Sequence, residues 1–211
     1  MKSTMSKVGL LAVAFLALTG LAGQSDAQDA ALVTAAGQKQ IVTDPGTPLQ
    51  GSAHANITVV EYFDYNCSYC RKLAPAFTAL VNKDPNVAVL YKEWPIFGGV
   101  SKYAARSALA TQWQGKYLQA HEALMSAPRL ATESQVDATL ARAGIDMPRL
   151  KQDLSAHGTA IDQLLNRNQA EADALHLQGT PGLMAGRFVV WNIGDLPGLE
   201  SAVDHARKAK L

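Results

Sequence analysis

Cysteine is scarce in this chain: Cys67 and Cys70 are the only two in 211 residues. That excludes a mini-protein stapled by disulfides, and a chain of this length can bury a core without them. Excess charge is lacking too. Lys and Arg number 19 against 18 Asp and Glu, a formal net charge of +1, so no bulk field draws the protein to nucleic acid or to an anionic membrane. Basic runs, glycine-rich phosphate loops and internal repeats are missing as well. Hydrophobic residues are plentiful, at 48% against 18% charged. That balance belongs to a globular chain with one sizeable core.

At the start, Lys2 and Lys7 accompany an apolar run from Val8 to Ala22, followed by the small residues Ser25 and Ala27. The run is shorter than the about 20 apolar residues needed to span a bilayer. Residues 1–27 are therefore expected to be a secretory signal peptide cleaved after Ala27. No cysteine near that point offers a lipid anchor. The rest of the chain is expected in an exported, oxidising compartment, the periplasm, where two cysteines can pair.

Residues 28–56, rich in small and polar types, read as an N-terminal extension: a short helix or coil, then a linker through Pro45 and Pro48. Ile57–Phe63 is β-branched and aromatic, as in a buried strand. Leu73, Phe77, Leu80 and Val81 share one face of a helix over 70–83, with Pro75 inside it. Val87–Tyr91 reads as a second strand. A strand–helix–strand unit of this kind pairs its strands in parallel. Residues 99–177 read as helical, with segments parting at Gly115. A capping box joins Thr132 to Gln135, and Asp146 and Pro148 begin a further helix. Two short strands, 183–185 and 188–191, and a terminal helix over 197–208 complete the chain.

The chemistry is expected at Cys67-Ser68-Tyr69-Cys70, directly after a strand and at the opening of a helix. Residues three apart on a first helical turn face the same side, so the sulfurs can pair. Cys67 at the helix N-terminus gains from unpaired N–H groups and the macrodipole, which favour a thiolate, and Arg71 and Lys72 add positive charge nearby. Cys70, one turn in, is the more buried, resolving thiol. Zinc would need four ligands, and the chain has no second CxxC or closely spaced His pair. His54, His121, His157, His176 and His205 stand singly, as surface or packing residues. A purely structural bridge closing so small a ring would stabilise little. Thiol–disulfide exchange is the chemistry this arrangement suits, with no cofactor beyond the cysteine pair.

The stretch EYFDYNCSYCRKLAPAF, the helical block, Gly179-Thr180-Pro181 and the closing strand–strand–helix resemble the DsbA-like family of exported thioredoxin-fold oxidoreductases. The resemblance runs from about Ile57 to the C-terminus. It implies an α/β thioredoxin fold over 57–211 with a helical subdomain inserted at about 99–177. It also implies that Cys67 attacks, Cys70 resolves, and Pro181, preceded by Thr180, is a cis-proline facing them. Glu61, a charge within an apolar strand, takes by resemblance the place of a buried acid that moves the resolving thiol's proton; the alternative is an edge-strand carboxylate facing water. Trp94, Pro95 and Phe97 read as core residues, with a peptide groove as the alternative. Two features depart from the family: strong oxidases usually carry a histidine where Tyr69 stands, and Trp191-Asn192 replaces a common Pro-Gly. Expected partners are exported proteins with cysteines and a membrane redox partner. The expected state is a monomer. Whether the chain donates disulfides, or acts as an isomerase or reductase, stays open, as does a non-catalytic peptide-binding holdase.

Overall fold

The computed structural model describes residues 32–209, and the expected signal peptide at 1–27 lies outside them. In chain order the elements are α1 (Ala35–Val42), β1 (Leu49–Gly51), β2 (Ile57–Phe63), α2 (Ser68–Lys83) and β3 (Val87–Glu93). A helical stretch follows: α3 (Gly99–Ala110), a 3-10 turn at Thr111–Gln114, α4 (Tyr117–Ser126), α5 (Glu133–Arg142) and α6 (Met147–Ala174). β4 (Gly182–Ala185), β5 (Phe188–Val190) and α7 (Leu196–Lys208) close the chain.

The strands form one sheet in the order β1-β3-β2-β4-β5. β2 and β3 are parallel, in register from Ile57 opposite Val87 to Phe63 opposite Glu93. Parallel pairing needs a long crossover, and α2 supplies it. β4 and β5 add antiparallel partners beyond β2. β1 differs from expectation, because the stretch after Pro48 reads as linker yet pairs antiparallel with β3, Leu49 opposite Leu90. Gly51 ends that strand at φ +94°, and a Cβ there would meet the Val87 carbonyl oxygen at 2.8 Å. Only glycine permits both the dihedral and the approach. The result is the expected α/β arrangement: a strand–helix–strand unit and a strand–strand–helix unit share a sheet, with α3–α6 between them in sequence.

Alternation along the strands divides the core in two. Val59, Phe63, Val89, Tyr91 and Leu183 face α2, α7 and the helical stretch. Val60, Tyr62, Leu90 and Met184 face α1 and the last turns of α6. Charge is buried on this second face. Lys92, fully buried, sits 3.2 Å from Asp44 Oδ2 and 2.9 Å from Glu171 Oε2. Tyr62 donates its hydroxyl to Glu171, and Arg167 holds the other Asp44 oxygen. Asp44 follows α1, so these pairs tie the N-terminal extension to β3 and α6.

The helix signals match their expected positions. Thr132 and Gln135 make the reciprocal capping box of α5. Asp146 caps α6 by accepting the Arg149 N–H, and Pro148 lies in the first turn. α6 then continues as a single helix of 28 residues, burying Ile161, Leu164, Leu165, Asn168 and Ala172. Gly115, at φ +67°, parts the 3-10 turn from α4. α2 runs through Pro75.

Candidate active site

The chain leaves β2 at Phe63 and must turn into α2 within four residues, Asp64-Tyr65-Asn66-Cys67. Asp64 holds the turn. Its buried carboxylate accepts the Asn66 N–H at 2.7 Å, the Ser101 hydroxyl at 2.7 Å and the Phe97 N–H at 2.9 Å. Asn66 ties the turn to the α4–α5 loop: its amide donates to the Leu130 carbonyl, and its oxygen accepts the Leu130 N–H. The sequence reading missed both residues. Their signal was two Asx side chains in the short span between a strand and a helix, a pattern suited to capturing backbone donors.

This turn makes Cys67 the N-cap of α2, the helix start expected for it, and α2 begins at Ser68, two residues before the apolar span over 70–83. The Cys67 sulfur accepts the Cys70 N–H at 3.3 Å, so it satisfies one of the donors that a helix start leaves unpaired. Both thiols are free. The Cys67 thiol lies 3.1 Å from the Thr180 carbonyl oxygen, and the Thr180–Pro181 peptide is cis. The segment around residues 180–181 and the CxxC turn, more than a hundred residues apart in sequence, therefore meet.

The two cysteines differ in acidity. Cys67 is pulled down to about 6, first by the hydrogen bond from the Cys70 thiol; burial opposes this, and Thr180 with the N–H groups of Cys70 and Tyr69 adds to it. Cys70 is pushed far up, first by burial, then by its bond to Cys67 and by the charge of Glu61. Cys70 is the more buried of the two, as expected, at 0% exposed against 3% for Cys67, and ionisation separates them further. One expectation needs correction. Arg71 gives its guanidinium to the Met125 and Ala127 carbonyls at the end of α4, where cations offset the helix dipole. The thiolate is favoured by local hydrogen bonds instead.

Glu61 stands on β2, between β3 and β4, opposite Tyr91 and Leu183. It is not an edge carboxylate. It is fully buried, and neither oxygen has a hydrogen-bond partner. Burial pushes its pKa well above the carboxylate range, and the charges of Cys67 and Glu93 push the same way. Burial of this kind favours the protonated form of a carboxyl.

Trp94 is core, as expected, with its indole N–H on Gln169. Phe97 is not, since it and Ile96 are exposed. The Phe97 N–H bond to Asp64 holds this pair beside the CxxC turn, and Tyr69, between the cysteines, is 73% exposed. A cleft of about 760 Å³ opens alongside, between α2 and α4, lined by Ser68, Arg71, Lys72 and Glu122 among others. His121 packs in the core against Phe63 and Tyr91, and His157 stacks on Trp113. Among the described residues, no group of three or more His, Cys, Asp or Glu side chains is arranged to hold a metal.

Residues 58–204 match the family described as the DSBA-like thioredoxin domain. The chain is similar to a thioredoxin-like oxidoreductase from Silicibacter pomeroyi, at 38% identity and a TM-score of 0.76, covering 81% of this chain and 97% of that one. It is 25% identical to the thiol:disulfide interchange protein DsbA of Pseudomonas aeruginosa over 197 residues, 90% of this chain and 88% of the relative. It is also 25% identical over 135 residues to the Na(+)/H(+) antiporter NhaA 1 of Salinispora arenicola. That match takes in 63% of this chain, which spans about a fifth of the antiporter's length, 20%.

Proposed function

The chain belongs to the DSBA-like thioredoxin domain family, and on that premise we propose that it exchanges a Cys67–Cys70 disulfide with cysteines of protein substrates. A substrate thiolate attacks the Cys67 sulfur. The Cys67–Cys70 bond breaks, its electron pair leaves on Cys70, and a mixed disulfide forms at Cys67. A second substrate thiolate then attacks the substrate sulfur of that bond, releasing an oxidised substrate and a Cys67 thiolate. In the other direction Cys70 gives up its proton, attacks Cys67 of a mixed disulfide and releases the substrate thiolate. The observation that carries this reading is the unequal pair itself: an acidic Cys67 capping α2 over a Cys70 whose thiol resists ionisation. The Thr180 carbonyl beside the sulfur, with Pro181 next in the chain, is where an extended substrate would pair with backbone, and Glu61 exchanges a proton with Cys70. No cofactor beyond the cysteines takes part.

The proposed setting is the periplasm, after removal of residues 1–27, with residues 28–56 as an extension and 57–211 as the catalytic unit, acting as a monomer. Exported proteins with cysteines are the substrates, and a membrane redox partner resets the pair. Cys67 at about 6 lies between the values near 7 of thioredoxin and near 3.5 of DsbA. That favours an oxidant of intermediate strength and keeps the isomerase or reductase direction as the second reading.

Limiting alkylation of the reduced protein tests the pair. Cys67 should label first, with a rate that rises through a midpoint near pH 6 and then levels, because the thiolate is the nucleophile. Cys70 should stay unlabelled throughout the neutral range. Equal labelling, or a Cys67 midpoint near the ordinary thiol value of about 8.5, would contradict the reading.

A further inference from the structure

Glu61 is not the only carboxyl buried on the active-site face. β3 continues two residues beyond the strand expected from sequence, through Lys92 and Glu93. Lys92 points to the opposite face, where Asp44 and Glu171 hold it. Glu93 lies on the Glu61 side, one strand over and two positions along, roughly 8 Å away by sheet geometry. It is almost fully buried.

The two carboxyls have unlike surroundings. Glu61 has no hydrogen-bond partner on either oxygen. Glu93 Oε1 accepts two phenolic hydroxyls, Tyr65 at 2.7 Å and Tyr117 at 3.0 Å, while its Oε2 has no hydrogen-bond partner. Tyr65 belongs to the CxxC turn and Tyr117 to α4. The other groups around Glu93 are few. His121 of α4 shares the Tyr65 hydroxyl at 3.3 Å, and burial pushes it down to about 3, so it stays neutral. Asn168 of α6 donates to the Glu93 backbone carbonyl. Burial pushes the Glu93 carboxyl well above the carboxylate range, the Tyr65 and Tyr117 hydroxyls draw it back down, and the like charge of Asp64 pushes it up again. Among the described residues, no lysine or arginine is bonded to the Glu93 side chain.

Two carboxyls this close in a dry interior do not ionise independently. The one with donors ionises first, because hydrogen bonds to a carboxylate favour its charged form. We propose that Glu93 is a positioning residue of the thiol site: it takes the negative charge of the buried pair and so leaves the proton on Glu61, where Cys70 can draw on it. The proposal rests on the exchange reaction above. When a substrate thiolate breaks the Cys67–Cys70 bond, Cys70 leaves with the electron pair and takes the proton of Glu61. In reverse, Glu61 must be ionised to receive the Cys70 proton, and the charge on Glu93 opposes that ionisation.

The test is the pH dependence of glutathione release from protein carrying a Cys67–glutathione mixed disulfide, the step in which Cys70 attacks Cys67. In the wild type the rate rises as Glu61 ionises. Glu93→Gln keeps the shape of the side chain and removes its charge, so the midpoint should move to lower pH by about one unit or more. Tyr65→Phe takes one donor from Glu93 and should move the midpoint the same way, by less. It decides the matter if Glu93→Gln does not fold. Glu61→Gln should remove the midpoint, and adding Glu93→Gln to it should change nothing further. A midpoint that stays at the wild-type pH in the folded variants overturns the role of Glu93 while leaving the exchange reaction standing. A wild type that never releases glutathione overturns the exchange reaction, and this role with it.

Discussion

Cys70→Ser is expected to turn the protein into a trap. Substrate or glutathione should accumulate in mixed disulfides at Cys67, visible as added mass on a non-reducing gel and lost on reduction. Resolution by Cys70 is intramolecular, since the residue stands one helical turn from Cys67 with its N–H on the Cys67 sulfur. Replacing it by an external thiol at about 1 mM makes the step bimolecular, and turnover should fall by at least about a hundredfold. The variant should fold, because Cys70 is bonded to Cys67 through its backbone, and serine fills less space without adding charge. Cys67→Ser should instead give no mixed disulfide at all, as Cys70 is buried and holds its proton. A holdase would keep its peptide binding in both variants. Full turnover in Cys70→Ser would mean that the second cysteine has no part in the reaction.

The largest effect on stability is expected away from the cysteines, on the opposite face of the sheet. Lys92→Met leaves Glu171 with the Tyr62 hydroxyl but no cation, and Asp44 with Arg167 and the Thr47 hydroxyl. Removing one member of a buried ion pair costs about 3–5 kcal/mol, because the partner's charge stays buried without compensation. Urea unfolding should show a loss of that size. Adding Asp44→Asn and Glu171→Gln should recover part of it, since the stranded charges are then gone. A loss below about 1 kcal/mol would place the network among surface pairs, whose contribution is small. Because Asp44 follows α1, the same variant should also loosen the N-terminal extension, raising hydrogen exchange there before the rest of the chain.

What the sequence made legible followed from local physics. The strand at Ile57–Phe63, the caps at Thr132 and Asp146, and Cys67 at a helix start depend on neighbours within a few residues. Three features were missed for one shared reason: tertiary contacts decide them. Leu49–Gly51 is too short to read as a strand and exists because β3 offers it an edge. β3 seemed to end at Tyr91 because Lys92 and Glu93 are charged, yet each meets partners that make burial possible: carboxylates on one face, phenols on the other. Arg71 looked like a charge for Cys67 from its place in the sequence, but the end of α4 takes it. At the site itself, Cys67, Cys70, Thr180 and Pro181 are legible in two short motifs, and the geometry brings Cys67 onto Thr180. Glu61 was named with two alternatives, and its place in a central strand removes the solvent-facing one. Asp64, Asn66 and Glu93 needed the fold to be seen.

The measurement closest to the central claim is the reduction potential of the Cys67–Cys70 pair, read by equilibrating the protein with glutathione buffers and counting thiols. A thiolate held at about 6 stabilises the reduced form more than thioredoxin's cysteine does and less than DsbA's. A reversible two-electron couple is therefore expected between about −270 and about −120 mV, the values of those two proteins. A pair that resists reduction below about −300 mV would behave as a structural disulfide, and that result would rule out thiol–disulfide exchange at Cys67 and Cys70.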